Sequence, residues 1–383
     1  MADKPRILFY FLHLLGVGHV YRAQRLIEGF ASRGFAIDVI YGGSRLADIV
    51  FAADSVHYLS PIRAADNSYS SYLDAHDRPL EKPFQEQRAR EILTIFDQLD
   101  PDIVLTEAFP FGRRMVRHEM KALLEAAENR QPKPLVVSSV RDILQERKKA
   151  GRVEETCDWI DRHFDHVLVH SDPQVIRLDS TFPLTDRIAD KLSYTGFVVP
   201  PTKAAAGATA FDVLVSAGGG AFGGELMACA MAAAKQDGGH NWCLSTGPNL
   251  ASDQYEKLTR DLPSHITVTR YLPNLAEQMK RAGVSISQCG YNTAMDALAA
   301  HRDSNCRAVF VPYDTEGQSE QLRRAQLLKE AGYAVCLPQS KLTSQALLQA
   351  CEKARLLKQV QHEVDFGGVK NSAKMLRSFL DAR

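Results

Sequence analysis

Apolar residues in this chain fall in short runs separated by stretches of helical spacing. The first run is Arg6 to Leu12; a turn containing Gly16 and Gly18 follows, then Val20 to Ser32 with apolar positions three and four apart, then a second run from Ala36 to Tyr41. That order predicts a β-α-β unit. The pattern returns with strand-like runs at Ile103 to Thr106, Leu135 to Ser139 and His166 to Val169, and helical segments such as Phe84 to Leu99 and Arg113 to Asn129 between them. Apolar runs alternating with helices predict a parallel sheet covered on both faces.

Between Tyr194 and Ala210 the periodicity stops, and Pro200, Pro201 and a tract of Ala, Gly and Thr take its place. This reads as a linker over 196–210, dividing a first domain (1–195) from a second (211–383) and leaving open whether the last helix returns to the first. After it the alternation restarts with strands at Phe211 to Ser216, Trp242 to Ser245, Ile266 to Thr269, Val284 to Ser287, Ala308 to Val311 and Ala334 to Leu337, and a helix from Gly224 to Ala234. Two α/β domains in tandem are expected, each opening with strand, glycine turn and helix.

Composition narrows the function. The chain has 383 residues, 46 basic and 46 acidic, with neither half a polycation, so nucleic acid is not expected as a partner. Seven scattered cysteines form no C-x-x-C pair and point to reduced thiols in a cytoplasmic protein. The apolar stretches near Ile7 to Leu15 and Leu226 to Ala234 fall short of the roughly 20 residues that span a bilayer, so any membrane contact is expected to be peripheral, at the inner face.

Four clusters carry candidate chemistry. In Gly16-Val17-Gly18-His19-Val20-Tyr21-Arg22, the turn lets a ligand approach the backbone, and His19 sits at the sheet edge where open α/β folds bind ligands. An imidazole there suits general-base work, or it caps the helix. The third glycine of a dinucleotide fingerprint is missing, although Asp38 lies at about the right distance for one, which weakens a nicotinamide dehydrogenase. The glycine-rich turn Gly218 to Gly224 can nest phosphate oxygens at the start of a helix; a flexible linker, the alternative, fits badly between strand and helix.

In Ser287 to Asp296, Gly290 and Thr293 open a helix and Asp296 could accept two hydroxyl hydrogen bonds, or simply favour the helix dipole. After the buried run ending at Val311-Pro312, polar residues through Glu320 and Gln321 could bond sugar hydroxyls, or form a solvated loop. In the first domain Glu107, Arg113 and Asp142 follow strands and are acceptor-site candidates, with a helix-cap ion pair and a loop salt bridge as their alternatives. Asp100-Pro101-Asp102 has D-x-D spacing but reads as a turn. No metal site is expected.

Together the clusters resemble the GT-B glycosyltransferases, and most of all the family of MurG, the N-acetylglucosaminyltransferase of peptidoglycan lipid synthesis. The likeness covers most of 6–45 and 211–340. It rests on the order glycine loop, Thr246-Gly247, Tyr271-Leu272-Pro273, Gly290-x-x-Thr293-x-x-Asp296 and Val311-Pro312-Tyr313 through Glu320-Gln321 to Arg324-Ala325. It implies two Rossmann-like domains facing a cleft, an inverting, metal-independent sugar transfer from a nucleoside diphosphate donor, expected to be a uridine one, and no cofactor.

Carried over, the resemblance puts Gly18, Gly218, Gly219, Gly220, Thr246, Gly247, Gly290 and Thr293 around the donor, with Leu272 by the uracil. It further gives the ribose to Asp296, the donor sugar to Glu320 and Gln321, and catalysis to His19. Asp stands for the family's ribose Glu, Gly220 for its Ser, and Glu320 for the first of two glutamines. The acceptor implied is a lipid-linked sugar, a polysaccharide end or a small metabolite. The run Gly16, Gly18, His19, Arg22 also resembles the nucleotide-sugar hydrolase of pseudaminic acid synthesis, in which water is the acceptor. A non-catalytic sugar-nucleotide-binding subunit is the non-enzyme alternative.

Overall fold

The computed structural model describes residues 4–14, 16–46, 49–65, 71–145, 150–201, 210–217, 223–247, 250–314, 319–358, 360 and 362–383. They form two compact units, one of 1–173, 177–198 and 367–383, the other of 174–176 and 199–366.

The first unit runs β1 (Arg6–Phe11), α1 (Gly18–Ala31), β2 (Ala36–Tyr41), β3 (Ser55–Tyr58), the small hairpin β4 (Arg63–Ala64) and β5 (Tyr72–Leu73), α2 (Lys82–Leu99), β6 (Ile103–Glu107), α3 (Arg117–Glu128), β7 (Leu135–Arg141), α4 (Arg152–His163), β8 (His166–His170) and β9 (Leu192–Tyr194). Its main sheet has the order β3-β2-β1-β6-β7-β8-β9, with every pairing parallel. The chain starts in the middle, winds outward one way and returns to wind the other, so β1 and β6 flank a switch point at their carboxyl ends. β1 is buried from Ile7 to Phe11 because helices cover both faces. Asp38 lies in the middle of β2, where Arg6 and Ser55 donate to its carboxylate, three residues short of the strand end at which a dinucleotide ribose would be held.

The second unit runs β10 (Phe211–Ser216), α5 (Gly224–Gln236), β11 (Trp242–Ser245), α6 (Ser252–Thr259), β12 (Ile266–Thr269), α7 (Leu275–Lys280), β13 (Ala282–Ser287), α8 (Tyr291–Ser304), β14 (Arg307–Phe310), α9 (Ser319–Glu330), β15 (Ala334–Cys336) and α10 (Ser344–Arg355). Its all-parallel sheet β12-β11-β10-β13-β14-β15 repeats the doubly wound order, with the switch point between β10 and β13. Val213, Val215, Val284 and Ile286 pack one face against Leu226, Ala230, Leu347 and Cys351. All seven cysteines are free.

The final helix, α11 (Gly368–Asp381), packs in the first unit. Val369 occupies the place where a side chain at Gly29 of α1 would stand, so the two helices approach closely only because position 29 is glycine. Asn371 donates to the Thr195 carbonyl at 2.8 Å, and Phe379 stacks on His166 with ring centroids 3.6 Å apart. Within the segment expected as linker, Phe197 and Val198 are fully buried in this unit and the chain leaves it at Val199; 202–209 lie outside the described residues.

Candidate active site

At the switch point of the first sheet, α1 begins directly after the glycine turn and presents His19 in its first turn. β6 ends on Glu107, and the two meet, with His19 Nδ1 3.0 Å from Glu107 Oε1. Arg22, one turn further along α1, donates to the same oxygen, which brings its Nη2 to 3.1 Å from His19 Nδ1. Ser139 of β7 donates to Glu107 Oε2 at 2.7 Å. The Glu107 side chain is completely buried, whereas 13% of the His19 side chain is exposed.

The protonation states follow. Burial alone would raise the Glu107 carboxyl, but Arg22 and the bonds from His19 and Ser139 outweigh it and hold the group well below the usual carboxylate range. An ionised carboxylate only accepts, so Nδ1 of His19 carries the proton that fills the 3.0 Å contact, and Nε2 keeps its lone pair. Burial, then the Arg113 guanidinium, hold the imidazole well below its ordinary pKa despite Glu107. His19 is therefore a neutral ring with a fixed tautomer and one nitrogen able to take a proton.

Glu107 and Asp142 sit differently from the acceptor contacts expected of them. Glu107 has its carboxylate buried among Arg22, Ser139 and His19, so it positions His19 and presents no surface to an acceptor. Asp142 is fully buried and accepts from the Ile143 amide at 2.7 Å, closing its own loop. Arg113 is half-buried with φ of 60°, close enough to His13 and His19 to lower both. His13 was missed by pattern: it lies 5% exposed beyond β1, 2.8 Å from the Tyr41 hydroxyl, which donates to the Ser44 carbonyl. Burial and Arg113 bring His13 down to about 4.

In the second unit Gly218, Gly219 and Gly220 lie outside the described residues. Thr246 and Gly247 follow β11; Thr246 is buried with its amide donating to the Thr269 carbonyl at 2.9 Å, and Gly247 has φ of +76°. Gly290 caps the 14-residue α8, with Thr293 in the first turn, and among the described residues a side chain at 290 would meet nothing within 4 Å. Asp296 is 7% exposed further along α8, Leu272 is half-buried, and Tyr271 beside it is 72% exposed.

Glu320 opens α9 and accepts from Arg324 at 2.9 Å; Arg324 is fully buried and also donates to the Cys289 carbonyl at 2.8 Å. This arginine, spaced i,i+4 from Glu320, ties the start of α9 to the turn that precedes α8. Gln321 Oε1 lies 3.4 Å from the Tyr313 amide. Among the described residues no group of three or more His, Cys, Asp or Glu could hold a metal ion, and no helix is long and apolar enough to cross a membrane.

Residues 218–374 match the glycosyltransferase family 28 C-terminal domain. The matched stretch takes in α8 and α9, where the resemblance in sequence was strongest. Over 96% of both chains, the protein is 21% identical to an uncharacterized glycosyltransferase of Methanosarcina mazei. A 95-residue stretch, 24% of this chain and 25% of the relative, is 30% identical to the UDP-N-acetylglucosamine--N-acetylmuramyl-(pentapeptide) pyrophosphoryl-undecaprenol N-acetylglucosamine transferase of Pasteurella multocida.

Among solved structures, Acinetobacter baumannii MurG superposes with a TM-score of 0.60 at 17% identity, covering 98% of this chain and 100% of that one. The calicheamicin glycosyltransferase gives 0.61 at 16%, covering 100% and 95%. The family 28 domain thus belongs to a chain with two parallel-sheet units, the GT-B fold of these glycosyltransferases.

Proposed function

We propose that the protein transfers a hexose-type sugar from a uridine diphosphate donor to an acceptor hydroxyl with inversion and without a metal. The observation that carries this is the His19–Glu107 pair at the switch point of a chain that also bears a family 28 domain. His19 Nε2 takes the acceptor proton as the acceptor oxygen bonds to the anomeric carbon and the bond from that carbon to the diphosphate oxygen breaks. The electron pair leaves with the diphosphate. General-base assistance of this kind is worth about 10²–10⁴-fold.

The donor is held by the second unit. The amides at the start of α8 and its positive end face the diphosphate, supplying fixed potential where negative charge grows, with Gly218, Gly219, Gly220, Thr246 and Gly247 expected beside it. Asp296 takes the ribose hydroxyls, Leu272 the base, and Glu320, braced by Arg324, the sugar together with Gln321. Arg113, at the edge beside His19, is the remaining acceptor-side contact. The similarity to the Pasteurella enzyme, a transferase to a pyrophosphoryl-undecaprenol acceptor, supports a lipid-linked acceptor and a peripheral cytoplasmic place at the membrane.

The test is release of UDP from a panel of UDP-sugars, with and without acceptor-containing lipid and polysaccharide extracts. Slow release alone and at least tenfold faster release with acceptor is the expected result. Fast release of free sugar without acceptor identifies a hydrolase with His19 acting on water, and no binding of any UDP-sugar removes the donor assignment.

A further inference from the structure

Behind Glu107 lies a run of polar side chains that the transfer scheme does not use. Ser139, His170 and Thr195, from β7, β8 and the turn after β9, are each fully buried. Ser139 Oγ is 2.7 Å from Glu107 Oε2 and 2.9 Å from His170 Nε2, and His170 Nδ1 is 2.9 Å from Thr195 Oγ1. Three adjacent strand ends thus present a continuous line of hydrogen bonds that finishes on the carboxylate holding His19. Burying three such groups costs free energy unless their bonds are made.

The direction of the two bonds nearest the acid is fixed by what the next group can do. The carboxylate can only accept, so the single Ser139 proton goes to Glu107. Ser139 must then accept from His170, which places the His170 proton on Nε2; Thr195 Oγ1 lies 2.9 Å from Nδ1 and also donates to the Gly196 carbonyl at 3.0 Å. Burial, then the nearby Arg22, bring His170 down to about 3 and keep it neutral. The Ser139 and His170 protons both point toward Glu107.

We infer that His170 is a positioning residue for His19: through Ser139 it fixes the Glu107 carboxylate in the rotamer that aims Oε1 at His19 Nδ1, and so sets the tautomer that leaves Nε2 free. This rests on the reading of His19 as the base. Without the bond from His170 the Ser139 hydroxyl is free to turn, its donation to Glu107 Oε2 weakens, and the less satisfied carboxylate draws a proton toward His19. The imidazole becomes easier to protonate and less confined.

The experiment is nitrogen NMR of protein labelled in its histidines, titrated without substrate, the His19 signals being those lost in His19→Asn. In the native protein His19 is a single Nδ1–H tautomer. In His170→Met, which fills the space without a donor, the His19 pKa is expected to rise by about half a unit or more and the tautomers to mix. In His170→Gln, whose amide nitrogen can replace Nε2–H, native values return, a rescue that mere filling of the core would not discriminate. The UDP-induced rise in melting temperature should be equal in all three.

His19 signals in His170→Met that superimpose on the native ones, or a Gln variant that behaves like the Met variant, overturn the inference. If His170→Met does not fold, the same titration on Ser139→Ala decides: native His19 behaviour there overturns it as well. A native protein that shows the fixed tautomer but transfers no sugar instead removes the reading of His19 as base and leaves the positioning intact.

Discussion

Glu107→Gln is the sharpest probe of the first unit, because two charges meet His19 at nearly equal distance. The carboxylate oxygen is 3.0 Å and the Arg22 nitrogen 3.1 Å from Nδ1. At an effective dielectric of about 20, each acts on a protonated imidazole with about 5 kcal/mol, of opposite sign, so in the native protein they largely cancel. Glutamine keeps the shape and removes the attraction alone. The imidazolium then faces Arg22 unscreened, and even if relaxation halves the effect, protonation of His19 in the transition state is harder by about 2–5 kcal/mol. Turnover should fall by about 30- to 5,000-fold.

The variant also leaves a buried guanidinium without its counter-ion, at a cost of about 3–5 kcal/mol of stability, so its melting temperature should drop. Arg22→Met combined with Glu107→Gln removes both charges, and should recover stability and part of the turnover relative to Glu107→Gln alone. The assay is acceptor-dependent UDP release, with melting measured on the same samples. A folded Glu107→Gln protein within tenfold of native turnover, or a double variant slower than the single one, would refute the electrostatic account.

His19→Ala should lower turnover by about 10²–10⁴-fold with UDP affinity nearly unchanged, and near-native turnover would remove it from the mechanism. Asp296→Ala should weaken UDP binding by about 1.5–3 kcal/mol and weaken a 2′,3′-dideoxy analogue far less; equal losses by calorimetry would confine Asp296 to a structural part. His13 and His170, held down to about 4 and about 3 in the folded protein, stay neutral where the unfolded chain takes up protons, so their contribution is whole above about pH 6.5 and is lost as pH falls toward those values. By pH 5 the two together cost up to about 4 kcal/mol, and urea unfolding that is flat between pH 7 and 5 would contradict this. Gly29→Ala should destabilise by about 1–3 kcal/mol, and Val369→Ala should relieve that loss if α11 packs on α1 as described.

The elements that could be read from the chain are those whose burial leaves a period. Both parallel sheets are built from the apolar runs recognised at Arg6, Ala36, Ile103, Leu135 and His166 and from Phe211 onward, because strands covered on two faces must be nearly continuous in apolar residues. β3 and β9 were not recognised: Ser55–Tyr58 and Leu192–Tyr194 are sheet-edge strands with polar residues interleaved, so neither shows such a run. The site divides along the same physical line. His19, Gly290 and Asp296 stand at glycine-marked turns, and a turn announces itself locally.

Ser139, His170 and Thr195 do not, since each lies in a different strand region and nothing near any one of them in sequence distinguishes a polar residue that joins a buried line from one that faces solvent. Glu107 shows the consequence. Its place after a strand marked it as a group facing a ligand, which is what a carboxylate at that edge should be when it has water for company. What reversed the assignment was Arg22, one helical turn from His19 and able to neutralise the acid only once β1 and β6 were known to be neighbours. Chemistry held by one turn was therefore legible, and chemistry shared between strands required the strand order first.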